Sequence, residues 1–340
     1  MRSVYSSDFG RLLSLKVRNQ SSVVINLPGV VARGTELALT VEYEGTLEPT
    51  QVDREVVSVS DGQDRDPFMY DALGIPAESS LLYTTRSYWY PQSPVSDYAP
   101  AVLRLTVPEG YGVLASGELA AGSPVAVPAA PGQRIGSRLY VFSAPQPLRY
   151  LACLITRLVR VDARTVALTD RLTVGGADGT AQPTRPVLPG VFYDALGLTV
   201  DANPRLVPRA RRLAPVAQDV ARFYTGLIGD SPYPSLAVGV IEKPLPGGHS
   251  PAYLSVLLQP PPQATFSWGN DPAAFPNYPE FFIAHEIAHQ WWGQAVGWQS
   301  YHEQWISEGF SQYFAGLYAR QIRGEDAFGE VVRRDRKSVV

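Results

Sequence analysis

The chain has 340 residues, 45% of them hydrophobic and 11% aromatic, with a formal net charge of −3. That length and apolar content suit about two globular domains with a sizeable core, and the near-neutral balance excludes the basic footprint of a nucleic-acid or anionic-membrane binder. No apolar run reaches the roughly 18–20 residues that span a bilayer, the N-terminal MRSVYSSDFGRLLSLKVRNQ lacks the apolar stretch of a secretory signal, and the single Cys153 rules out an intramolecular disulfide or a cysteine-based metal site. Compartment and oligomeric state stay open at this level.

From Leu12 to about Leu168 the pattern is of short alternating runs broken by glycine and proline: Leu37–Tyr43, Leu81–Thr85, Val102–Val107, Leu139–Phe142 and Tyr150–Val161. Such runs with turn residues between them predict antiparallel β-structure. The 30 prolines and 29 glycines fit a loop-rich sandwich better than a helical bundle. Residues 120–136, AAGSPVAVPAAPGQRIG, form a small-residue, proline-rich loop with no chemistry in it. Cys153, inside the run LACLIT, reads as a small buried hydrophobe.

The period changes after residue 200. Leu206, Ala210, Leu213, Val216, Ala217, Val220, Phe223, Tyr224 and Leu227 recur at three and four residues, which predicts an amphipathic helix. Pro204 stands near its start, with Gly226 and Gly229 near its end. A domain boundary is therefore expected near 200, giving an N-terminal β-domain over 1–200 and a second domain over 201–334. Ser235–Ile241 and Ala252–Gln259 read as strands flanking Pro246-Gly247-Gly248-His249-Ser250-Pro251. Residues 259–279 are too proline-rich to continue either element and lead into a helix, with Asn277 and Glu280 spaced as a capping box and Pro279 in the first turn.

That helix, expected to run to about Trp292, carries His285-Glu286-Ile287-Ala288-His289. At 3.6 residues per turn the two histidines share one face. Imidazoles so placed can hold one zinc ion with Glu286 beside them as general base. A catalytic zinc needs a third protein ligand, and Glu308 is a candidate on a second helix starting between Ser300 and Ser307, after a turn at Gly293 and Gly297. Phe282, Ile283, Trp291, Trp292, Phe310, Tyr313, Phe314 and Leu317 read as packing residues.

At these residues the chain resembles the membrane alanyl aminopeptidase family of zinc metallopeptidases (gluzincins). The family pattern is His-Glu-x-x-His, 18 residues, then Glu within Trp-Leu-Asn-Glu-Gly-Phe-Ala. Here the run reads Trp305-Ile306-Ser307-Glu308-Gly309-Phe310-Ser311, and His289-Gln290-Trp291-Trp292-Gly293-Gln294 matches His-Gln-Trp-Phe-Gly-Asn. Arg86 to Pro91, RSYWYP, is more weakly similar to the family's Arg-x-Trp-Phe-Pro turn.

The resemblance implies an α+β multidomain fold: an antiparallel β-sandwich-like N-terminal domain, then the first part of a thermolysin-like catalytic domain. It implies a zinc-dependent peptidase acting on peptides, an aminopeptidase first of all, with one Zn2+ per chain on His285, His289 and Glu308. Glu286 would be the general base. The family has Gly-Ala-Met-Glu-Asn where this chain has Gly247-Gly248-His249-Ser250-Pro251. Gly247 and Gly248 fit the part that aligns the peptide backbone, and His249 either faces the cleft or is a solvated loop histidine. Ser250 replaces the glutamate that grips the free α-amine; Glu242 is a candidate substitute, against a plain reading as a strand-end surface charge. That replacement leaves open an endopeptidase or another zinc hydrolase, and a non-catalytic binding scaffold is a further alternative. His302 receives no ligand role. The family's catalytic tyrosine is expected beyond residue 340, so the chain reads as a truncated member, weakly active or inactive. Its last residues, 335–340, can be back-translated to a string resembling a sequencing adapter and are expected to be an artefactual tail.

Overall fold

The computed structural model describes residues 1–17, 20, 22–50, 77–92, 97–168, 193–243, 247–259, 278 and 280–338. Among these the architecture is mixed α+β, with several antiparallel sheets preceding a five-stranded mixed sheet. Asn277 and Pro279 lie outside the described residues.

Two compact units divide the chain. One comprises residues 1–50 and 83–95, the other the rest of the described chain. In the first, Ser3–Ser6 is paired antiparallel to both Gly10–Arg11 and Leu39–Glu42, and Leu13–Val17 pairs with Ser22–Asn26. The RSYWYP segment forms a turn here: a 3-10 helix at Thr85–Ser87, closed by a capping box of Thr84 and Ser87 and ended by Tyr88 in the left-handed region. Tyr43 Oη donates to the Trp89 carbonyl at 2.6 Å, tying the turn to the sheet.

The second unit is built on the five-stranded sheet, ordered Val159–Ala167, Ala195–Ala202, Ser235–Glu242, Leu254–Gln259, Gly247–His249. The three central strands run parallel, and the two edge strands are antiparallel to their neighbours. The central sequences explain this placement. SLAVGVIE and LSVLLQ are nearly continuous apolar runs, which suit strands covered on both faces. One face is covered by helix α1 (Val207–Ile228), α2 (Phe281–Ala288) and α3 (Trp305–Arg323), with Tyr224, Ile283, Ile287 and Tyr318 in the shared core. The other face packs Ile241, Leu254, Val256 and Leu258 against Leu82, Leu114 and Leu154. Helix α4 (Glu325–Ser338) follows α3 after Gly324, whose φ of 88° ends it.

Residue 200, where a domain boundary is expected, falls inside a strand of this sheet. Ala195–Ala202 is one strand hydrogen-bonded on both sides, and its outer partner begins at Val159. A cut at 200 would sever one ladder. The predicted amphipathic helix is found at Val207–Ile228, preceded by a 3-10 turn over Pro204–Leu206; Leu227, expected on its apolar face, is exposed. The expected capping box rests on Asn277, outside the described residues; the N-cap of α2 is Glu280, whose carboxylate makes no cap hydrogen bond and accepts from Arg323 at 2.8 Å.

Candidate metal centre

Helix α2 is shorter than expected, ending at Ala288. His289 is its C-cap and keeps a right-handed conformation (φ −59°, ψ −19°), so it stays one turn below His285. Beyond it the chain unwinds through turns because Gly293 has φ +105°, and the Gly293 N–H bonds the Val296 carbonyl at 2.8 Å. A Cβ on Gly293 would also collide with Ser307. The turn at Gly293 thus brings α3 back across α2, with Glu308 in the first turn of α3.

The result is a convergence of three donor atoms. His285 Nε2 and His289 Nε2 are 3.1 Å apart, and Glu308 Oε2 lies 3.4 Å from the first and 3.6 Å from the second. Ligand bonds of roughly 2.0–2.1 Å in a tetrahedron put neighbouring donor atoms about 3.3–3.4 Å apart. The three separations therefore match one face of a zinc tetrahedron, and this is the one such group among the described residues. Burial works to raise the Glu308 carboxyl, but the His289 and His285 imidazoles outweigh it and hold the group at about 2, anionic as a ligand must be.

The ring of His289 is fixed from behind. Its Nδ1 lies 3.0 Å from Ser311 Oγ, 3.1 Å from the Trp292 carbonyl and 3.2 Å from Ser307 Oγ. Such contacts set the tautomer of a ligand histidine and aim its other nitrogen. His285 Nδ1 has no hydrogen-bond partner among the described residues. Neither serine is singled out by the motif. The available signal is their spacing of four on α3, on either side of Glu308, at positions where the family run has Asn and Ala.

Glu286 is 5% exposed. Burial raises its carboxyl above the usual range, while His289 and Ser250 work to lower it and Glu308 to raise it further. It faces the sheet edge: Ser250 Oγ donates to Glu286 Oε2 at 2.6 Å. A Cβ on Gly248 would fall inside the Glu286 carboxylate. Gly247 and Gly248 belong to the edge strand Gly247–His249, paired to Leu258 and Leu257.

His249, left open between a cleft-facing and a solvated loop residue, is a half-buried residue of the edge strand. Glu242 is corrected. It is wholly buried, paired with Arg205 and accepting the Glu78 N–H at 2.9 Å, so it is neither a surface charge nor a cleft carboxylate. His302 sits exposed in a 3-10 turn and joins no donor group.

Two glutamines in the turn after α2 hold the segment leading from the edge strand. Gln290 Nε2 donates to the Pro251 and Leu254 carbonyls at 3.1 and 3.3 Å, and its Oε1 accepts the Tyr253 N–H at 2.9 Å. Gln294 Nε2 donates to the Ser250 carbonyl at 2.9 Å. Of the expected packing residues, Ile283, Trp291 and Leu317 are buried and Phe282, Trp292 and Phe314 pack partly against the core, whereas Tyr313 is exposed.

Residues 278–338 match the profile of the Peptidase family M1 domain. Among solved structures, the chain is similar to an M1 zinc metallopeptidase variant from Deinococcus radiodurans bound to a Tyr-Ser-Ala substrate. Identity is 18% and the TM-score 0.61, covering 99% of this chain and 66% of that one. An M1 zinc metallopeptidase from the same organism gives 19% identity and a TM-score of 0.59 over 96% of this chain and 62% of the other. A two-domain M1 zinc metallopeptidase variant bound to L-tryptophan gives 18% and 0.59 over 96% and 63%. These likenesses are of fold, and the chain spans just under two thirds of each of those structures. No curated protein matches.

Proposed function

We propose that the chain is a zinc-dependent metallopeptidase of the M1 type, built as a β-rich N-terminal part and a thermolysin-like catalytic part, and that it removes residues from the amino end of peptides. The observation that carries this reading is the convergence of His285 Nε2, His289 Nε2 and Glu308 Oε2 at zinc-ligand spacing with the buried Glu286 alongside. His285, His289 and Glu308 would hold one zinc ion, leaving a position open for water. Zinc so bound supplies Lewis acidity, lowering the pKa of its water and polarising the scissile carbonyl. Glu286 takes the proton from the attacking water and hands it to the leaving amine; its raised carboxyl favours that acceptance and release. The edge strand Gly247–His249 has one side paired to Leu254–Gln259, and an extended peptide laid along its other side would be aligned by backbone hydrogen bonds.

A second reading, hydrolysis without a requirement for a free N-terminus, is favoured by one observation. The segment Gly247–Pro251 carries no carboxylate, and its one hydroxyl is engaged with Glu286. The test is a pair of short peptides differing only in N-terminal acetylation, given to the zinc-loaded full chain with and without chelator. Chelator-sensitive cleavage with kcat/KM at least about tenfold higher for the free peptide, a difference of ~1.4 kcal/mol, supports the aminopeptidase reading. Equal values support the second, and chelator-insensitive cleavage removes both.

A further inference from the structure

We propose that Ser250 is the positioning residue for Glu286, holding the general base against the edge strand; the inference rests on the peptidase reading above. The strand exit is where a residue gripping the substrate amine was expected. Instead the Ser250 side chain turns inward: it is 5% exposed and donates to Glu286 Oε2 at 2.6 Å. A buried carboxylate without a partner is costly, and a hydroxyl donor at this distance answers that cost while fixing one of the two oxygens.

Three further features make the contact a positioning device. The backbone of Ser250 is pinned, because its carbonyl accepts from Gln294 Nε2 at 2.9 Å and the next carbonyl, of Pro251, from Gln290 Nε2 at 3.1 Å. Both glutamines sit in the turn leaving α2, so the hydroxyl is registered to the helix that carries Glu286. A residue preceding proline is in addition held to extended conformations. Finally, Gly248 leaves the carboxylate room against the strand that any side chain would fill. Ser250 from one end and Gly248 from beneath thus confine Glu286 beside the three donor atoms. In consequence Ser250 does not bind the substrate amine, and selectivity for free N-termini, where present, comes from elsewhere.

Ser250→Ala and Ser250→Thr in the zinc-loaded full chain test this, with zinc content, kcat and KM on a short peptide, and a crystal structure of each variant. Zinc content should be unchanged in both. Because misplacing a catalytic group by about 1 Å can cost on the order of 10²-fold, Ser250→Ala should lower kcat by about tenfold or more with KM altered by less than about twofold. Ser250→Thr, which keeps the hydroxyl, should recover most of that loss. In the Ser250→Ala crystal structure the Glu286 carboxylate should leave Gly248 or divide between two positions. An unchanged kcat in Ser250→Ala, a fall in affinity alone, or an unmoved Glu286 overturns the proposal. A wild-type chain that fails to bind zinc would defeat the peptidase reading, and the crystallographic comparison would still decide whether Ser250 places Glu286.

Discussion

Ligand and base roles separate at single residues. His289→Ala and Glu308→Ala each remove one of only three protein donors, so both variants should purify with substoichiometric zinc by elemental analysis. Full occupancy in Glu308→Ala would take Glu308 out of the donor set. Gly248→Ala should leave zinc in place and lower kcat, since its methyl group would displace the Glu286 carboxylate; retention of wild-type kcat would show that the carboxylate or the strand yields without cost. Cys153 gives a prediction remote from the site. It is 2% exposed, and burial pushes its thiol up to about 12, far from the thiolate that reacts with alkylating agents. Iodoacetamide at pH 8 should label it only after denaturation, and rapid labelling of the native chain would contradict its placement.

Among the elements, α2 and the segment after the edge strand are coupled mainly through Gln290, a buried side chain with three backbone partners. Gln290→Ala would strand a buried N–H and weaken two carbonyls. At roughly 1–3 kcal/mol for each buried group left unpaired, the loss should be about 2–4 kcal/mol, read as a lower denaturant midpoint at unchanged slope. An unchanged midpoint would mean water or a neighbouring side chain replaces the amide. These couplings also show how far the sequence could be read. The convergence of His285, His289 and Glu308 was legible because one helical period dictates the spacing of the histidines and a glycine turn returns the next helix. Ser250, Gln290 and Ser311 were not, because their roles depend on which strand edge and which helix face meet α2. That is a matter of tertiary packing, and local periodicity carries none of it. Tyr313 shows the opposite error: its helical spacing fits an apolar face, yet it ends at the surface.

In the molecule as a whole, the five-stranded sheet joins residues from both sides of the expected boundary, and its two apolar faces hold the helices on one side and Leu82, Leu114 and Leu154 on the other. The change from strand to helix period near residue 200 was legible, but ladder pairing between Ala195–Ala202 and Ser235–Glu242 has no local signature. A fragment beginning at Asp201 should therefore fail to fold, giving a non-cooperative melt. A cooperative transition matching that of the whole chain would restore a boundary there. No described helix is long and apolar enough to cross a membrane. The central claim is that the donors on α2 and α3 form a hydrolytic zinc centre served by Glu286. The measurement that tests it most directly is the rate of cleavage of a short peptide by the zinc-loaded full chain and by its Glu286→Gln variant at equal, measured zinc content. The account predicts one zinc per chain in both, weak cleavage by the wild type, and a rate in the variant lower by at least ~10²-fold, the low end of what a general base contributes. Equal rates at equal zinc content would contradict it.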